Sequence, residues 1–104
     1  MKILLIHPPA LGEPGILGNL KYPPMGIAFL AAVLRESQYP VNILDAHVAA
    51  LSIEKIIRHI AKESPDVIGL SFTSLLFESA MVLAKSIKRV FPEKILIAGG
   101  YHPT

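Results

Sequence analysis

The sequence alternates short apolar runs with segments of helical periodicity, and this alternation limits the possible folds more than any other feature. Four runs have strand length and no polar alternation, as expected for strands buried on both faces of a parallel sheet. They cover residues 2–7, 41–44, 67–72 and 94–98. Between them lie three segments with apolar residues at helical spacing, beginning near Ile27, Ile53 and Ala80. The predicted order is therefore β-α-β-α-β-α-β.

Connections between parallel strands are almost always right-handed, so this order predicts a three-layer α/β fold with a doubly wound parallel sheet. We expect the flavodoxin-like (Rossmann-like) strand order 2-1-3-4. Ligands bind such sheets at the carboxyl ends of the strands, here between the first and third strands. Residues 1–104 form one domain in this interpretation, truncated before the fifth strand that such domains usually carry.

Composition disfavours several classes of function. The chain has 104 residues, 52% of them hydrophobic, and no cysteine, which excludes disulfides, thiolate zinc sites and iron–sulfur clusters within it. The net charge is +2, with basic and acidic residues interleaved, so no nucleic-acid-binding patch is expected. The longest apolar run, residues 27–34, is far shorter than the roughly 20 residues that span a bilayer. Residues 3–6 are too few for the core of a signal peptide, so we expect a cytoplasmic protein without a membrane span.

Five of the nine prolines and four of the seven glycines lie in the connection that follows the first strand. This connection has about 17 residues, whereas two to six are usual between a strand and a helix. It contains neither GxGxxG nor GxxxxGK[ST], which disfavours dinucleotide and P-loop phosphate binding. Two interpretations stay open: a stiff surface loop, or a loop that closes over a ligand at the carboxyl edge of the sheet.

The other strand ends also carry candidate ligand-binding residues. Ser71, Thr73 and Ser74 place three hydroxyls after the third strand, where they can cap the next helix or donate to a ring nitrogen or a phosphate. Gly99 and Gly100 follow the fourth strand, where a glycine pair makes a plain turn or allows a ligand to approach the backbone. Both interpretations stay open for each group.

The histidines give weaker signals. Asp45 and His47 follow the second strand; such a pair can orient a metal ligand, but the expected position at the sheet edge favours a solvated turn. His7 ends the first strand and is interpreted as a structural residue, and His59 as a solvated one on the second helix. The sequence has no Ser-His-Asp set, paired carboxylates or HExxH motif, so we expect no self-contained catalysis.

Taken together, these features resemble the cobalamin-binding domain at the amino end of cobalamin-dependent radical S-adenosylmethionine (SAM) enzymes. The resemblance runs over the whole chain, and its specificity comes from the order and spacing of five short pieces. These are residues 2–9 (KILLIHPP), 22–34 (YPPMGIAFLAAVL), 41–46 (VNILDA), 64–71 (SPDVIGLS) and 97–104 (IAGGYHPT).

This resemblance implies a site as well as a fold. The nucleotide tail of the cofactor would enter between the first and third connections, and the corrin ring would lie on the carboxyl edge of the sheet. Hydroxyls would line the tail pocket, glycines would give it room, and residues 24–26 would shape the loop under the corrin. The implied cofactor-binding residues are Pro24, Met25, Gly26, Ser71, Thr73, Ser74, Gly99, Gly100, Tyr101 and His102.

Cobalamin domains of the methionine synthase type carry Asp-x-His-x-x-Gly after the first strand, and its His binds cobalt. This chain lacks the motif there; Asp45-x-His47-x-x-Ala50 imitates it after the wrong strand and ends in Ala. The resemblance therefore implies a base-off cofactor with no protein His on cobalt. His7 stands where relatives often have Asn, and it is a disfavoured candidate for a cobalt neighbour.

Our main hypothesis is a cobalamin-binding module that is not an enzyme by itself and serves methyl transfer or related radical chemistry in a longer protein. A downstream radical SAM domain would be its partner and would carry SAM and the 4Fe-4S cluster.

Two alternative hypotheses stay open. In one, the domain is a degenerate structural or interaction module that does not bind cobalamin. In the other, it is a flavodoxin-like FMN or receiver domain. The receiver is disfavoured because its acidic positions read His7-Pro8-Pro9 and Ser71-Phe72-Thr73. The exposed sheet edge also leaves dimerisation open.

Overall fold

A computed structural model describes residues 1–9, 25–47, 49–72 and 77–99. Four parallel strands form one sheet in the order β2-β1-β3-β4, which confirms the predicted doubly wound topology. The strands are β1 (Ile3–His7), β2 (Val41–Asp45), β3 (Val67–Ser71) and β4 (Ile95–Gly99). The helices are α1 (Met25–Glu36), α2 (Ile53–Glu63) and α3 (Phe77–Val90).

Each strand sends alternate side chains to opposite faces of the sheet, and this divides the core in two. The larger cluster joins β1 and β3 to α2 and α3, through buried residues such as Leu4, Ile68, Ile56 and Leu83. The smaller cluster joins the other face of the sheet to α1; its buried members are Ile3, Leu5, Ile27, Ala31 and Val41. The two clusters give the three predicted layers, with two helices on one face and one on the other.

Local signals explain where α2 begins and ends. The Ser52 side chain accepts a hydrogen bond from the Lys55 backbone N–H, which satisfies a donor at the helix start. Ser64 adopts a left-handed conformation at the other end, and its N–H donates to the Ile60 carbonyl. Within the described ranges, no helix is long and apolar enough to cross a membrane.

Gly69 allows β3 to pack closely beside β1. Leu5, Gly69 and Ile97 lie in register across three neighbouring strands. A Cβ atom placed on Gly69 would lie 2.8 Å from Leu5 Cδ2, inside van der Waals contact, and Leu5 is itself buried. A side chain at Gly69 would therefore require the Leu5 side chain to shift.

We predict that Gly69→Ala lowers the free energy of unfolding by about 1–3 kcal/mol, because the added methyl overpacks a buried contact. Gly99→Ala is the matched control, since a Cβ there meets nothing within 4 Å. This control should be neutral or slightly stabilising, because alanine restricts the unfolded chain. Urea unfolding followed by circular dichroism measures both values. Equal stability of the two variants would contradict the role given to Gly69.

Candidate functional site

A cavity of about 310 Å³ lies on the α1 face of the sheet and reaches its carboxyl edge. Its described lining comes from three strands and one helix: Leu5, Leu30, Gly69, Leu70, Ser71, Ile97 and Gly99. These lining residues are mostly apolar, and among them only Ser71 has a polar side chain. This combination is common in small-molecule sites, where apolar walls supply contact area and a few polar groups fix orientation.

The depth of the cavity follows from strand register and from two glycines. Ser71 pairs with Gly99, one pleat beyond the row that contains Gly69 and Ile97. Neither Gly69 nor Gly99 has a side chain on the α1 face, and the space around the Cβ position of Gly99 is open. Gly99 has no positive φ, so its lack of a side chain matters here for room and not for backbone conformation.

The structure brings together two of the predicted site residues, Ser71 and Gly99. Met25 and Gly26 are the first two residues of α1, and the Met25 side chain lies outside the described structure. The other predicted residues fall outside the described ranges: Pro24, Thr73, Ser74, Gly100, Tyr101 and His102. The cofactor-binding roles of all ten stay predictions.

Sequence reasoning missed the apolar walls of the cavity, which are Leu5, Leu30 and Ile97, and its floor at Gly69. Gly69 gave a usable signal, because a lone glycine inside an apolar strand often marks a close approach of another group. The apolar walls gave no signal, because the sequence alone does not distinguish an apolar residue that lines a cavity from one in the core.

A second concave region, of about 390 Å³, lies at the opposite end of the sheet. Three of the residues that line it, Lys2, Asn42 and His59, already contact Glu63. The Asn42 amide donates to the Glu63 carboxylate, His59 Nε2 lies 2.8 Å from Glu63 Oε2, and Lys2 Nζ donates to the Glu63 carbonyl. Parallel sheets bind ligands at their carboxyl ends, so the Ser71 cavity is the better candidate despite its smaller volume.

His7, Asp45 and His47 form a compact cluster where β1 and β2 end. His7 Nδ1 lies 3.1 Å from Asp45 Oδ1, the two imidazole centroids are 5.0 Å apart, and the His47 N–H donates to the His7 carbonyl. His7 is 4% exposed and His47 1% exposed. The interpretation of residues 45–47 as a solvated turn is therefore wrong, because the turn folds His47 back over the end of β1.

Burial lowers the pKa of His7 below its usual value, while the hydrogen bond and charge of Asp45 act in the opposite direction. A carboxylate only accepts, so the neutral imidazole carries its hydrogen on Nδ1 and donates it to Asp45. His7 does not line the cavity, and the described residues contain no group of three ligands that could hold a metal ion. The cluster joins two strand ends and gives no support to His7 as a cobalt neighbour.

We predict that stability falls on acidification between about pH 7.5 and 5.5, because the unfolded chain binds a proton on His7 more readily than the native chain. Stability from this residue is fully present above the unfolded pKa and is lost as the pH falls below it. His7→Asn should reduce this loss. Urea unfolding at several pH values measures this loss of stability. As a control, the free energies of unfolding of the two proteins should change in parallel between about pH 7.5 and 8.5, where the His7 imidazole is neutral in the folded and the unfolded state. An unchanged loss in the variant would contradict the assignment.

The protein is thus a doubly wound α/β domain with an apolar cavity at the carboxyl edge of its sheet. The chain matches the B12 binding domain family over residues 18–104, and it belongs to that family. The resemblance to a cobalamin-binding domain found in the sequence is thereby confirmed.

Curated relatives agree with this assignment. The chain is 33% identical to an uncharacterised methyltransferase of Pyrococcus horikoshii, over all of this chain and 22% of the relative. It is 31% identical to an anaerobic magnesium-protoporphyrin IX monomethyl ester cyclase of Rubrivivax gelatinosus, over all of this chain and 19% of the relative. A cytidylyl-2-hydroxyethylphosphonate methyltransferase of Streptomyces wedmorensis is 29% identical over 97% of this chain and 22% of its own length.

The chain thus spans about a fifth of the length of these relatives. No solved structure gives a significant match to it.

Proposed function

We propose that this domain holds cobalamin, with the nucleotide tail in the Ser71 cavity and the corrin ring at the carboxyl edge of the sheet. The observation that carries the proposal is the pairing of Ser71 with Gly99 at the mouth of an apolar cavity, in a chain of the B12 binding family. A receiver domain, another possibility for a flavodoxin-like fold, has less support because the sequence lacks the acidic residues that a receiver needs.

The residues present fit the chemistry of the tail. A planar aromatic base needs a narrow apolar slot, and Leu5, Leu30 and Ile97 supply its walls. Gly99 leaves open the space that a side chain would take. The Ser71 hydroxyl can donate to a ring nitrogen or a phosphate oxygen. The volume of about 310 Å³ is at the lower end for ligand pockets, which suits a cofactor that inserts only its tail.

The cofactor would be base-off and without a protein imidazole on cobalt. The sequence has no Asp-x-His-x-x-Gly after β1, and His7 is committed to Asp45. When bound, cobalamin supplies a cobalt centre that can carry a methyl group. The part of this chain is to bind and orient the cofactor, and we assign no catalytic residue to it.

The full-length protein would be a radical SAM methyltransferase or a related enzyme of the cytoplasm. Two of the three relatives described above are named as methyltransferases, and all of them extend far beyond the matched region. A downstream domain would bind SAM and a 4Fe-4S cluster, because this chain has no cysteine to hold one. The 104 residues alone should not turn over.

We predict that Gly99→Val weakens hydroxocobalamin binding by at least about tenfold, equivalent to about 1.4 kcal/mol, because its side chain enters the tail cavity. Ala98→Val is the matched control: it adds a side chain of the same kind on the same strand, one residue away and on the opposite face. An absorbance titration of the corrin measures the dissociation constant. Urea unfolding verifies that both variants are folded.

Ser71→Leu tests the hydroxyl and should also weaken binding. Full-length protein that binds no hydroxocobalamin would contradict the proposal and favour a structural or interaction domain. Equal weakening by Gly99→Val and Ala98→Val would place the cofactor elsewhere on the chain.

A further inference from the structure

The cavity at the carboxyl edge of the sheet has a polar end and an apolar end. Ser71 and Gly99 pair where β3 and β4 end, and the Ser71 hydroxyl is the polar group at this mouth. Two residues back along the strands lies an apolar row formed by Leu5, Gly69 and Ile97, which are in register across β1, β3 and β4. A strand rises about 3.3 Å per residue, so the apolar row lies about 6–7 Å deeper than Ser71.

The polar mouth and the apolar row lie on the same face of the sheet. Residues two positions apart along a strand share one face, so the row and the Ser71 side chain both lie on the α1 face. Leu5 in the row is buried, and Leu30 of α1 adds a further apolar side chain to the cavity lining. A flat ring system that enters at Ser71 therefore meets apolar side chains at its far end.

We propose that this cavity selects the base of the nucleotide tail, so that a corrinoid with a benzimidazole base binds in preference to one with a purine base. The preference rests on the proposed function, because it belongs to the site that would hold the tail. Both bases contain an imidazole ring, whose nitrogen can accept a hydrogen bond from Ser71. The bases differ in the second ring, which is a benzene ring in one and a pyrimidine ring with polar atoms in the other.

The second ring of the base would lie against the apolar row. The ribose is attached to the imidazole ring, which places that ring at the mouth and the second ring farther in. The side chains of Leu5 and Ile97 suit a benzene ring and its methyl groups. The ring nitrogens and amino group of adenine would lose water there, and the described lining residues in the row offer them no polar side chain. A polar group buried in this way weakens binding.

Equilibrium dialysis of the full-length protein against three corrinoids measures the preference. The compounds are dicyanocobalamin, its analogue with adenine in place of dimethylbenzimidazole, and dicyanocobinamide, which has no nucleotide. Cyanide occupies both axial positions of cobalt in each compound, so neither base has to leave cobalt before it enters the cavity. No side chain of this chain is proposed to bind cobalt, and the cyanides therefore displace none.

Dicyanocobalamin should bind at least about tenfold more tightly than the adenine analogue, because an apolar pocket discriminates against a polar isostere by up to roughly a hundredfold. It should also bind more tightly than dicyanocobinamide, which has no tail to place in the cavity. Ser71→Ala should weaken the binding of both nucleotide-containing compounds by the same factor, because the imidazole nitrogen that it would serve is common to both.

Ile97→Asn and Ile95→Asn form a matched pair of variants that tests the apolar row. The two isoleucines lie on one face of β4 and are 59% and 54% exposed, but of the two only Ile97 lines the cavity. The amide introduced by Ile97→Asn can bond the polar edge of adenine, so the preference should shrink about fivefold, which is the typical contribution of one hydrogen bond. Ile95→Asn should keep the original preference. Urea unfolding verifies that both variants are folded.

The outcomes separate this preference from the proposed function. Equal dissociation constants for the two nucleotide-containing compounds, both lower than that of dicyanocobinamide, would overturn the preference and leave the proposed function in place. Equal dissociation constants for dicyanocobalamin and dicyanocobinamide would show that the tail contributes nothing to binding, and both proposals would fall. A preference that Ile95→Asn reduces as much as Ile97→Asn would overturn the role given to the apolar row.

Discussion

The rest of the structure depends on the burial of β1 on both of its faces. All five of its residues are buried, so this strand must have a paired strand on each side and a helix layer above and below. Leu4 and Ile6 belong to the cluster with α2 and α3, and Ile3 and Leu5 belong to the cluster with α1. The cavity borders β1 at Leu5, where Gly69 of the neighbouring strand withholds a side chain. The candidate site therefore lies beside the central strand of the sheet.

Most of the fold could be predicted from the sequence because buried parallel strands leave a strong pattern. Short unbroken apolar runs such as residues 3–6, separated by segments of helical period, are typical of such strands, and the handedness of the crossovers then limits the strand order. Only part of the candidate site could be predicted in the same way. Ser71 and Gly99 stand at strand ends, where position alone suggests contact with a ligand, but the walls of the cavity depend on the register of three strands.

The cluster of His7, Asp45 and His47 shows why polar contacts between strands are harder to predict. His7 and Asp45 are 38 positions apart in the sequence, and they meet because β1 and β2 pair with the two residues directly opposite each other. His47 is buried by the turn after β2, whose backbone donates to the end of β1. Neither fact depends on residue type alone. An edge strand was expected to end in solvent, but here the edge turns inward over the central strand.

The exposed isoleucines of β4 have a consequence for how the protein is made. Translation proceeds from the amino end, so β1 to β4 leave the ribosome before any residue that follows them. Among the described strands β4 lies at an edge of the sheet and carries two exposed isoleucines, which is the kind of surface that recruits strands from other chains. The β2 edge is less exposed to this hazard because Arg35 already occupies the Val41 carbonyl. Aggregation during synthesis would thus begin more readily at the β4 edge than at the β2 edge of the described sheet.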